Sequence, residues 1–86
     1  MKLELSDHAK EEMERRRIPR HLLDSVLDHP QQIVPAERGK KAYQSRTDFG
    51  GGKIYLLRAI VAVDTDPATV VTVYRTSKIE KYWRAP

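Results

Sequence analysis

The strongest chemical signal in the sequence is a run of basic and aromatic residues near its carboxyl end. Its basic members recur every third residue: Arg75, Lys78, Lys81 and Arg84. On a helix each such step turns about 60° further, so adjacent members are neighbours but all four cannot share one face. Tyr74 and Tyr82 lie among them, which would place stacking surfaces beside phosphate contacts. The pattern favours nucleic-acid binding; the alternative is a solvated basic tail.

A single arginine interrupts the most apolar segment of the chain. Arg58 stands between Leu56 and Ile60 on one face of a predicted strand. A charged side chain in that position is costly unless it reaches a partner or a cleft. Two interpretations stay open, a structural salt bridge to Asp7 or Glu12 and a phosphate-binding group presented by the sheet.

One histidine lies where a helix is predicted to begin. The positive end of the helix dipole favours the neutral imidazole of His8, which is the form that a general base requires. The alternative is a structural residue at the helix start that forms a hydrogen bond to a nearby strand.

Several kinds of chemistry are not expected. The sequence has no cysteine, so disulfides, thiolate catalysis and zinc–cysteine sites are excluded. His8 and Glu12 share a helical face, but two ligands do not make a metal site. The run Gly50-Gly51-Gly52 lacks the lysine–serine signature of a phosphate loop. We therefore expect neither a metal ion nor a cofactor.

Size and composition predict one globular domain that spans residues 1–86. The chain is 40% hydrophobic and 33% charged, and its formal net charge is +4. Most of that excess lies in residues 44–86, which makes a polyanionic partner plausible. No apolar run approaches the roughly 20 residues that cross a bilayer. A cytoplasmic location is expected.

Two helices are predicted in the first half of the chain. Ser6 is a suitable amino-terminal cap for a helix over residues 7–16, with Glu11–Arg15 and Glu12–Arg16 as stabilising pairs. Pro19 fits the first turn of a second helix. An apolar stripe marks that helix: Leu22, Leu23, Val26 and Leu27. It should end at His29, because the residue before a proline leaves the helical region.

From residue 31 onward the periodicity becomes that of strands. Four segments alternate or are rich in β-branched residues: 32–34, 41–47, 53–63 and 69–75. Residues 3–5 can add an edge strand, and residues 76–83 a short terminal helix. The predicted fold is α+β, with an amino-terminal helical hairpin packed on a four-to-five-stranded, mainly antiparallel sheet and a short carboxyl-terminal helix.

Several of these segments carry a family resemblance. The motifs are Ser6-Asp7-His8-Ala9 in the first helix, Val26-Leu27-Asp28-His29-Pro30 at the end of the second, and Thr72-Val73-Tyr74-Arg75-Thr76-Ser77-Lys78 in the last strand. Together they resemble a group of small bacterial domains related to RelE/ParE-like toxins and BrnT-like ribonucleases. Three residues depart from the pattern: Glu12 replaces a common arginine, Arg17 a common glycine and Pro19 a capping Ser or Thr.

The resemblance implies a function and a partner. The chain would be the toxin of a type II toxin–antitoxin system and would cleave messenger RNA, often on the ribosome, without a metal ion. It would be neutralised by an antitoxin that lays a helix or strand over its basic groove.

The resemblance also implies roles for individual residues. Arg58 and Arg75 would stabilise the phosphate, and His8 would transfer a proton. RNA contacts would come from the tail residues: Tyr74, Lys78, Lys81 and Tyr82.

Two other functions stay open. A non-catalytic RNA, ribosome or protein-binding module with this fold would show salt-dependent affinity without cleavage. A gyrase-targeting toxin similar to ParE would act in a DNA supercoiling assay.

Overall fold

The computed structural model describes residues 3–85. The helices are α1 (Asp7–Arg15), α2 (Arg20–Asp28) and α3 (Ile79–Tyr82). The strands are β1 (Leu3–Leu5), β2 (Gln32–Pro35), β3 (Lys41–Asp48), β4 (Ile54–Ala62) and β5 (Ala68–Thr76). A 3₁₀ turn over Glu37–Gly39 joins β2 to β3. Within these residues no helix is long and apolar enough to span a membrane.

The five strands form one mixed sheet in the order β1-β5-β4-β3-β2. Strands β2 to β5 pair as an antiparallel meander, whereas β1 lies parallel to β5 at one edge. The predicted α+β class and the five strands are therefore confirmed. The meander keeps consecutive strands adjacent, so residues far apart in sequence meet across it in a fixed register.

The two faces of the sheet have different coverings. Successive side chains on a strand point to opposite faces. The first face carries Leu57, Ala59 and Val61 of β4 in the main apolar core, to which α1 and α2 contribute Ala9 and Leu23. Helix α1 contacts β5, and α2 contacts β4 and β3. The second face carries Arg58, and the carboxyl-terminal segment lies over it.

Ser6 fixes the start of α1 to the sheet. Its Oγ accepts a hydrogen bond from the Ala9 N–H at 3.0 Å, as predicted for an amino-terminal cap. The same hydroxyl donates to the Val71 carbonyl, also at 3.0 Å. Val71 is the extra residue of a bulge in β5, so its carbonyl is available to a side chain. One hydroxyl therefore joins helix and strand.

The end of α1 places Arg17 in a backbone conformation that usually favours glycine. The Ile18 N–H donates to the Met13 carbonyl and the Arg17 N–H donates to the Glu14 carbonyl, which is the Schellman arrangement. That arrangement needs a left-handed residue, and Arg17 has φ 53°. Glycine is favoured at such a position because it has no Cβ to clash.

Two local predictions for the helices are wrong. Glu12, rather than Glu11, binds Arg15, with Oε1 2.7 Å from Nη2. The same carboxylate receives Arg16 at 3.1 Å, which confirms the second predicted pair. Pro19 precedes the first helical residue of α2 as its cap and does not lie in its first turn. The end of α2 at Asp28, capped by His29, agrees with the prediction.

The terminal helix is shorter than predicted. It covers Ile79–Tyr82 only, and Arg75 belongs to β5. The helical spacing expected for the basic tail therefore does not apply, because Arg75 follows the alternation of a strand.

Candidate functional site

A row of four polar side chains crosses the second face of the sheet. Gln32 of β2 is in register with Gln44 of β3, Gln44 with Arg58 of β4, and Arg58 with Tyr74 of β5. Residues directly opposite each other in antiparallel strands have Cβ atoms about 4.5–5.5 Å apart. The meander therefore brings together four residues that span more than forty positions of the sequence.

Hydrogen bonds link the row from end to end. The Arg58 Nε donates to Gln44 Oε1 at 2.9 Å, and Gln44 Nε2 donates to Gln32 Oε1 at 2.8 Å. At the other end, Arg58 Nη1 donates to the Tyr74 hydroxyl. The orientation of the Gln44 amide follows from these bonds, because the oxygen must face the guanidinium and the nitrogen must face away from it.

Arg58 is a buried cation with neutral partners. Its relative exposure is 7%, and its hydrogen-bond acceptors are an amide oxygen and a phenol oxygen. The ion pairs of residues 3–85 lie elsewhere, on α1 and α2. The predicted salt bridge to Asp7 or Glu12 is therefore wrong. Burying a charge costs several kcal/mol even after relaxation, and an anionic partner would offset part of that cost for Arg58.

Arg58 nevertheless contributes to an open surface. Its relative exposure is 7%, and it is one of the residues that line the cleft described below. Its two side-chain hydrogen bonds use Nε and Nη1 and orient the guanidinium.

Aromatic rings enclose the rest of the guanidinium. The Arg58 Cζ lies 4.2 Å from the centroid of the Tyr82 ring and 5.7 Å from that of Tyr74. The two rings meet edge to face at 6.3 Å. Cation–π contacts of this kind are worth about 0.5–2 kcal/mol each, so they offset only part of the desolvation cost.

The same polar row holds the carboxyl-terminal segment. Gln44 Nε2 also donates to the Tyr82 carbonyl at 3.1 Å. Gln32 Nε2 donates to the Arg84 carbonyl at 2.6 Å, and Gln32 Oε1 accepts from the Arg84 N–H at 3.1 Å. Residues 82–84 are thus fastened to β2 and β3 by side chains, with backbone atoms as their partners.

A cleft of about 810 Å³ opens beside Arg58. The β2–β3 loop forms one wall, and β5 with Tyr82 forms the other. Its lining residues are Pro35, Ala36, Glu37, Arg38, Lys40, Arg58, Ile60, Val71, Thr72, Tyr74 and Tyr82. Three cations and one carboxylate face it, so the cleft is positively charged. Its size is within the range of about 300–1,000 Å³ that is typical of ligand sites.

Arg38 is held over this cleft by an unusual backbone conformation. It has φ 57° and ψ 40° in the turn between β2 and β3. The turn is closed by hydrogen bonds from the Ala36 N–H to the Lys40 carbonyl and from the Lys40 N–H to the Glu37 carbonyl. A left-handed non-glycine residue costs about 1–2 kcal/mol and often marks a functional position.

Tyr74 can serve as a hydrogen-bond donor in the cleft. Burial raises the pKa of its phenol above the usual 10.0, and the adjacent Arg58 opposes that shift only in part. The phenol is therefore protonated at neutral pH. Its oxygen accepts from Arg58, and the protonated phenol retains one O–H donor.

Three residues predicted for the site lie outside the cleft. His8 is exposed on α1, which packs on the opposite face of the sheet. Arg75 is in register with Leu57 on that same face, where its Cζ lies 4.5 Å from the Phe49 ring and 5.1 Å from the Tyr55 ring. Lys78 is exposed at the start of α3.

Two other predicted residues, Tyr74 and Tyr82, line the cleft with Arg58. Lys81 does not line it, although its Nζ lies 5.3 Å from the Tyr82 ring. The structure thus brings together three of the seven predicted residues at the cleft.

Four residues of this region were missed by the sequence analysis. Gln32 and Gln44 became visible only once the register placed them beside Arg58. Arg38 and Lys40 lie in a polar turn, where charged residues are common. The alternation on β3, which predicts Gln44 on the same face as Ala42, was the one available signal for this group.

The described residues contain no cluster of side chains that could bind a metal ion. Among residues 3–85, no group of three or more His, Asp or Glu side chains lies close enough to hold an ion.

Comparison with known proteins identifies a family without an assigned activity. The family described as "Domain of unknown function (DUF4258)" matches residues 5–75. The matched range includes all four members of the polar row and both helices that cover the core. No curated protein and no solved structure matches the chain.

Proposed function

Because the chain belongs to the DUF4258 family of domains of unknown function, we propose its function from the geometry of the cleft. The cleft binds the phosphodiester backbone of RNA, with Arg58 as the central phosphate contact. The protein is a cytoplasmic toxin of the RelE/ParE-like type, with that group's helical hairpin, and it cleaves messenger RNA without a metal ion.

One observation carries the proposal: a buried arginine that has no acidic partner among residues 3–85 lines a basic cleft. An enclosed guanidinium is usually paired with a carboxylate. Here its protein partners are neutral, and Arg38 and Lys40 add further positive charge. A phosphate would supply the missing anion and could bind more than one of these cations. The two tyrosines add aromatic surface for bases.

RNA cleavage requires charge stabilisation, a general acid and a general base, and different side chains of the cleft would supply them. The pentavalent phosphate requires positive charge, which Arg58 supplies with Arg38. The leaving 5′-oxygen requires a proton, for which the protonated Tyr74 phenol is suited. The 2′-hydroxyl requires a base, and Glu37 is the carboxylate of the cleft lining.

A non-catalytic RNA-binding protein is the second candidate. It is favoured by the position of His8, the residue first predicted to act as the base, on the opposite side of the sheet. Both candidates require RNA at Arg58, and they differ in whether the bound strand is cut.

A protein partner would control either activity. An antitoxin segment with acidic side chains could enter the cleft, form ion pairs with Arg38, Lys40 and Arg58, and compete directly with RNA. Its acidic character follows from the positive charge of the lining.

The test uses two matched arginine variants, Arg58→Met and Arg75→Met. Affinity for a labelled single-stranded RNA is measured over a range of salt concentrations, and cleavage is followed on denaturing gels in the presence of EDTA. Arg58→Met should weaken binding by at least about tenfold and reduce the salt slope by about 0.7. Arg75→Met removes an equal charge from the helical face of the sheet, so RNA affinity and its salt slope should stay near the wild-type values.

Equal losses in the two variants would contradict the proposed site. Wild-type binding without cleavage, together with normal growth of bacteria expressing the chain, would select the non-catalytic candidate. Thermal unfolding of both variants provides the control for folding.

A further inference from the structure

Gln44 forms hydrogen bonds both to Arg58, which lines the cleft, and to the carboxyl-terminal segment. Its Oε1 accepts from Arg58 Nε on β4, and its Nε2 donates to the Tyr82 carbonyl in the carboxyl-terminal segment. It is completely buried, with a relative exposure of 0%. A buried amide that loses a hydrogen-bond partner costs free energy, because water cannot replace that partner.

We propose that Gln44 is the positioning residue of the cleft: its amide couples the uncompensated charge of Arg58 to the seating of residues 82–84. This inference rests on the proposed function only for the identity of the ligand. The coupling itself is a property of the free protein.

The first step of the argument concerns charge. A glutamate at this position would present the same acceptor to Arg58 Nε, and it would also neutralise the guanidinium. The neutral amide orients Arg58 equally well and leaves its charge for an external anion. The choice of glutamine over glutamate therefore sets the affinity of the cleft for phosphate.

The second step concerns direction. Arg58 can only donate, so it fixes the amide with the oxygen toward β4. The nitrogen is thereby directed at Gln32 Oε1 and at the Tyr82 carbonyl. Gln32 in turn binds both the N–H and the carbonyl of Arg84. Without the contact to Arg58, the Gln44 amide would no longer be held in this orientation. If the amide turned over, it could not donate to the Tyr82 carbonyl, and residues 82–84 would lose this attachment.

The third step concerns what the segment carries. Tyr82 stacks on Arg58 at 4.2 Å and lines the cleft. When Gln44 holds the Tyr82 backbone, this ring is placed against the cation that a phosphate would contact. One amide therefore assembles an electrostatic group and an aromatic group at a single site.

Trp83 makes the coupling measurable without RNA. It is the sole tryptophan of the chain, and the Arg46 guanidinium lies 4.2 Å from its ring. Its intrinsic fluorescence, and the access of acrylamide to it, report directly on whether residues 82–84 are seated.

The experiment compares Gln44→Glu with Gln31→Glu. Both changes add one negative charge to a glutamine. Gln31 is exposed, and its Oε1 accepts from the Arg46 N–H, a role that a carboxylate keeps. Gln44→Glu keeps the contact with Arg58 but cannot donate to Tyr82 or Gln32. It should unfold cooperatively, as wild type does, because its charge is compensated by Arg58.

In Gln44→Glu the acrylamide quenching constant of Trp83 should rise at least about twofold, since the segment loses its donor. RNA affinity should fall by at least about tenfold and the salt slope by about 0.7, because one cation is neutralised. Gln31→Glu should change neither quantity by more than about twofold, as expected for a surface charge.

The outcomes separate the two proposals. If Trp83 responds in Gln44→Glu but wild type binds no RNA, the coupling stands and the proposed function fails. If RNA affinity falls while Trp83 quenching matches Gln31→Glu, the proposed function stands and the coupling is overturned. A third variant, Gln44→Leu, removes the acceptor without adding charge, and a Trp83 signal identical to wild type there would also overturn the coupling.

Discussion

Two arginines among residues 3–85 have a left-handed backbone conformation, and only one of them lines the cleft. Arg17 has φ 53° at the end of α1, and Arg38 has φ 57° in the turn above the cleft. Each is strained relative to glycine. Arg17 is exposed beside the last turn of a helix, whereas Arg38 adds positive charge to the lining of the cleft. Strain at Arg38 is therefore accompanied by a candidate function, and strain at Arg17 is not.

Glycine substitutions separate these two cases. Arg17→Gly and Arg38→Gly should each raise the free energy of unfolding by about 0.5–1 kcal/mol, the left-handed penalty less the greater freedom of glycine in the unfolded chain. Urea unfolding at neutral pH measures this. RNA affinity should stay unchanged in Arg17→Gly and fall about tenfold in Arg38→Gly, which loses a charge-assisted contact. Equal RNA affinity in both variants would remove Arg38 from the site.

At the residue scale, the sequence predicted the cation of the site but not the residue that orients it. Arg58 was detectable because a charge between Leu56 and Ile60 conflicts with the apolar pattern. Gln44 conflicts with no pattern, since a neutral polar residue is tolerated on one face of a strand. Its importance depends on the β3–β4 register, which the sequence does not specify residue by residue.

Helix α1 is fixed at both ends and carries an ionic cluster between them. Ser6 binds its start to β5, and the Schellman arrangement closes its end. On its surface Glu12 accepts from both Arg15 and Arg16. These hydrogen bonds lower the pKa of the Glu12 carboxyl from 4.5 to about 2. Glu12 thus has a structural role in holding two arginines.

The pH dependence of stability follows from that pKa. A carboxyl whose pKa is lower in the folded state adds stability above its unfolded pKa and loses it as the pH falls through the folded value. The contribution of Glu12 should therefore be complete above about pH 4.5 and should disappear toward pH 2. Urea unfolding across this window should show a smaller pH dependence for Glu12→Gln than for wild type. Superimposable profiles would contradict a role for Glu12 in stability, and Glu11→Gln is the matched control.

The sequence predicted correctly which segments form helices and which form strands. The largest error in an element boundary lies between β5 and α3, where pairing with β4 competes with the local sequence pattern. The nearly continuous apolar run of β4 and the β-branched residues of β5 reflect central strands that are covered on both faces. Arg75 and Thr76 were assigned respectively to the end of a strand and the start of a helix, but both pair with β4. That pairing extends β5 and leaves only Ile79–Tyr82 for the helix. Tertiary contacts with β4 therefore override local helical preference there.

At the scale of the whole molecule, the ion pairs of residues 3–85 and the basic cleft lie on opposite sides of the sheet. On the helical side Arg15 and Arg16 are paired with Glu12, and Arg20 with Asp24. On the cleft side the cationic residues of the lining outnumber its one carboxylate. The formal net charge of +4 does not reveal this difference, because it sums over both faces. Screening at physiological salt acts over about 8 Å, so a bound polyanion responds mainly to the face it touches.

Charge reversal on each face tests this asymmetry. Lys40→Glu and Arg20→Glu change the net charge equally, but only Lys40 lines the cleft. Lys40→Glu should lower RNA affinity by at least about tenfold and reduce the salt slope by about 0.7, because a direct phosphate contact is lost. Arg20→Glu should change affinity by less than about twofold at physiological salt, since the sheet and helix layers separate it from the ligand.

The comparison is decisive because the two variants differ in position and not in charge. If RNA were attracted by the net charge alone, both affinities would fall together, and both defects would shrink equally as salt is added. If the cleft is the site, a Lys40→Glu defect remains at physiological salt, whereas any effect of Arg20→Glu at low ionic strength disappears as salt is added. Thermal unfolding of both variants, read by Trp83 fluorescence, shows whether a defect arises from binding or from loss of the fold.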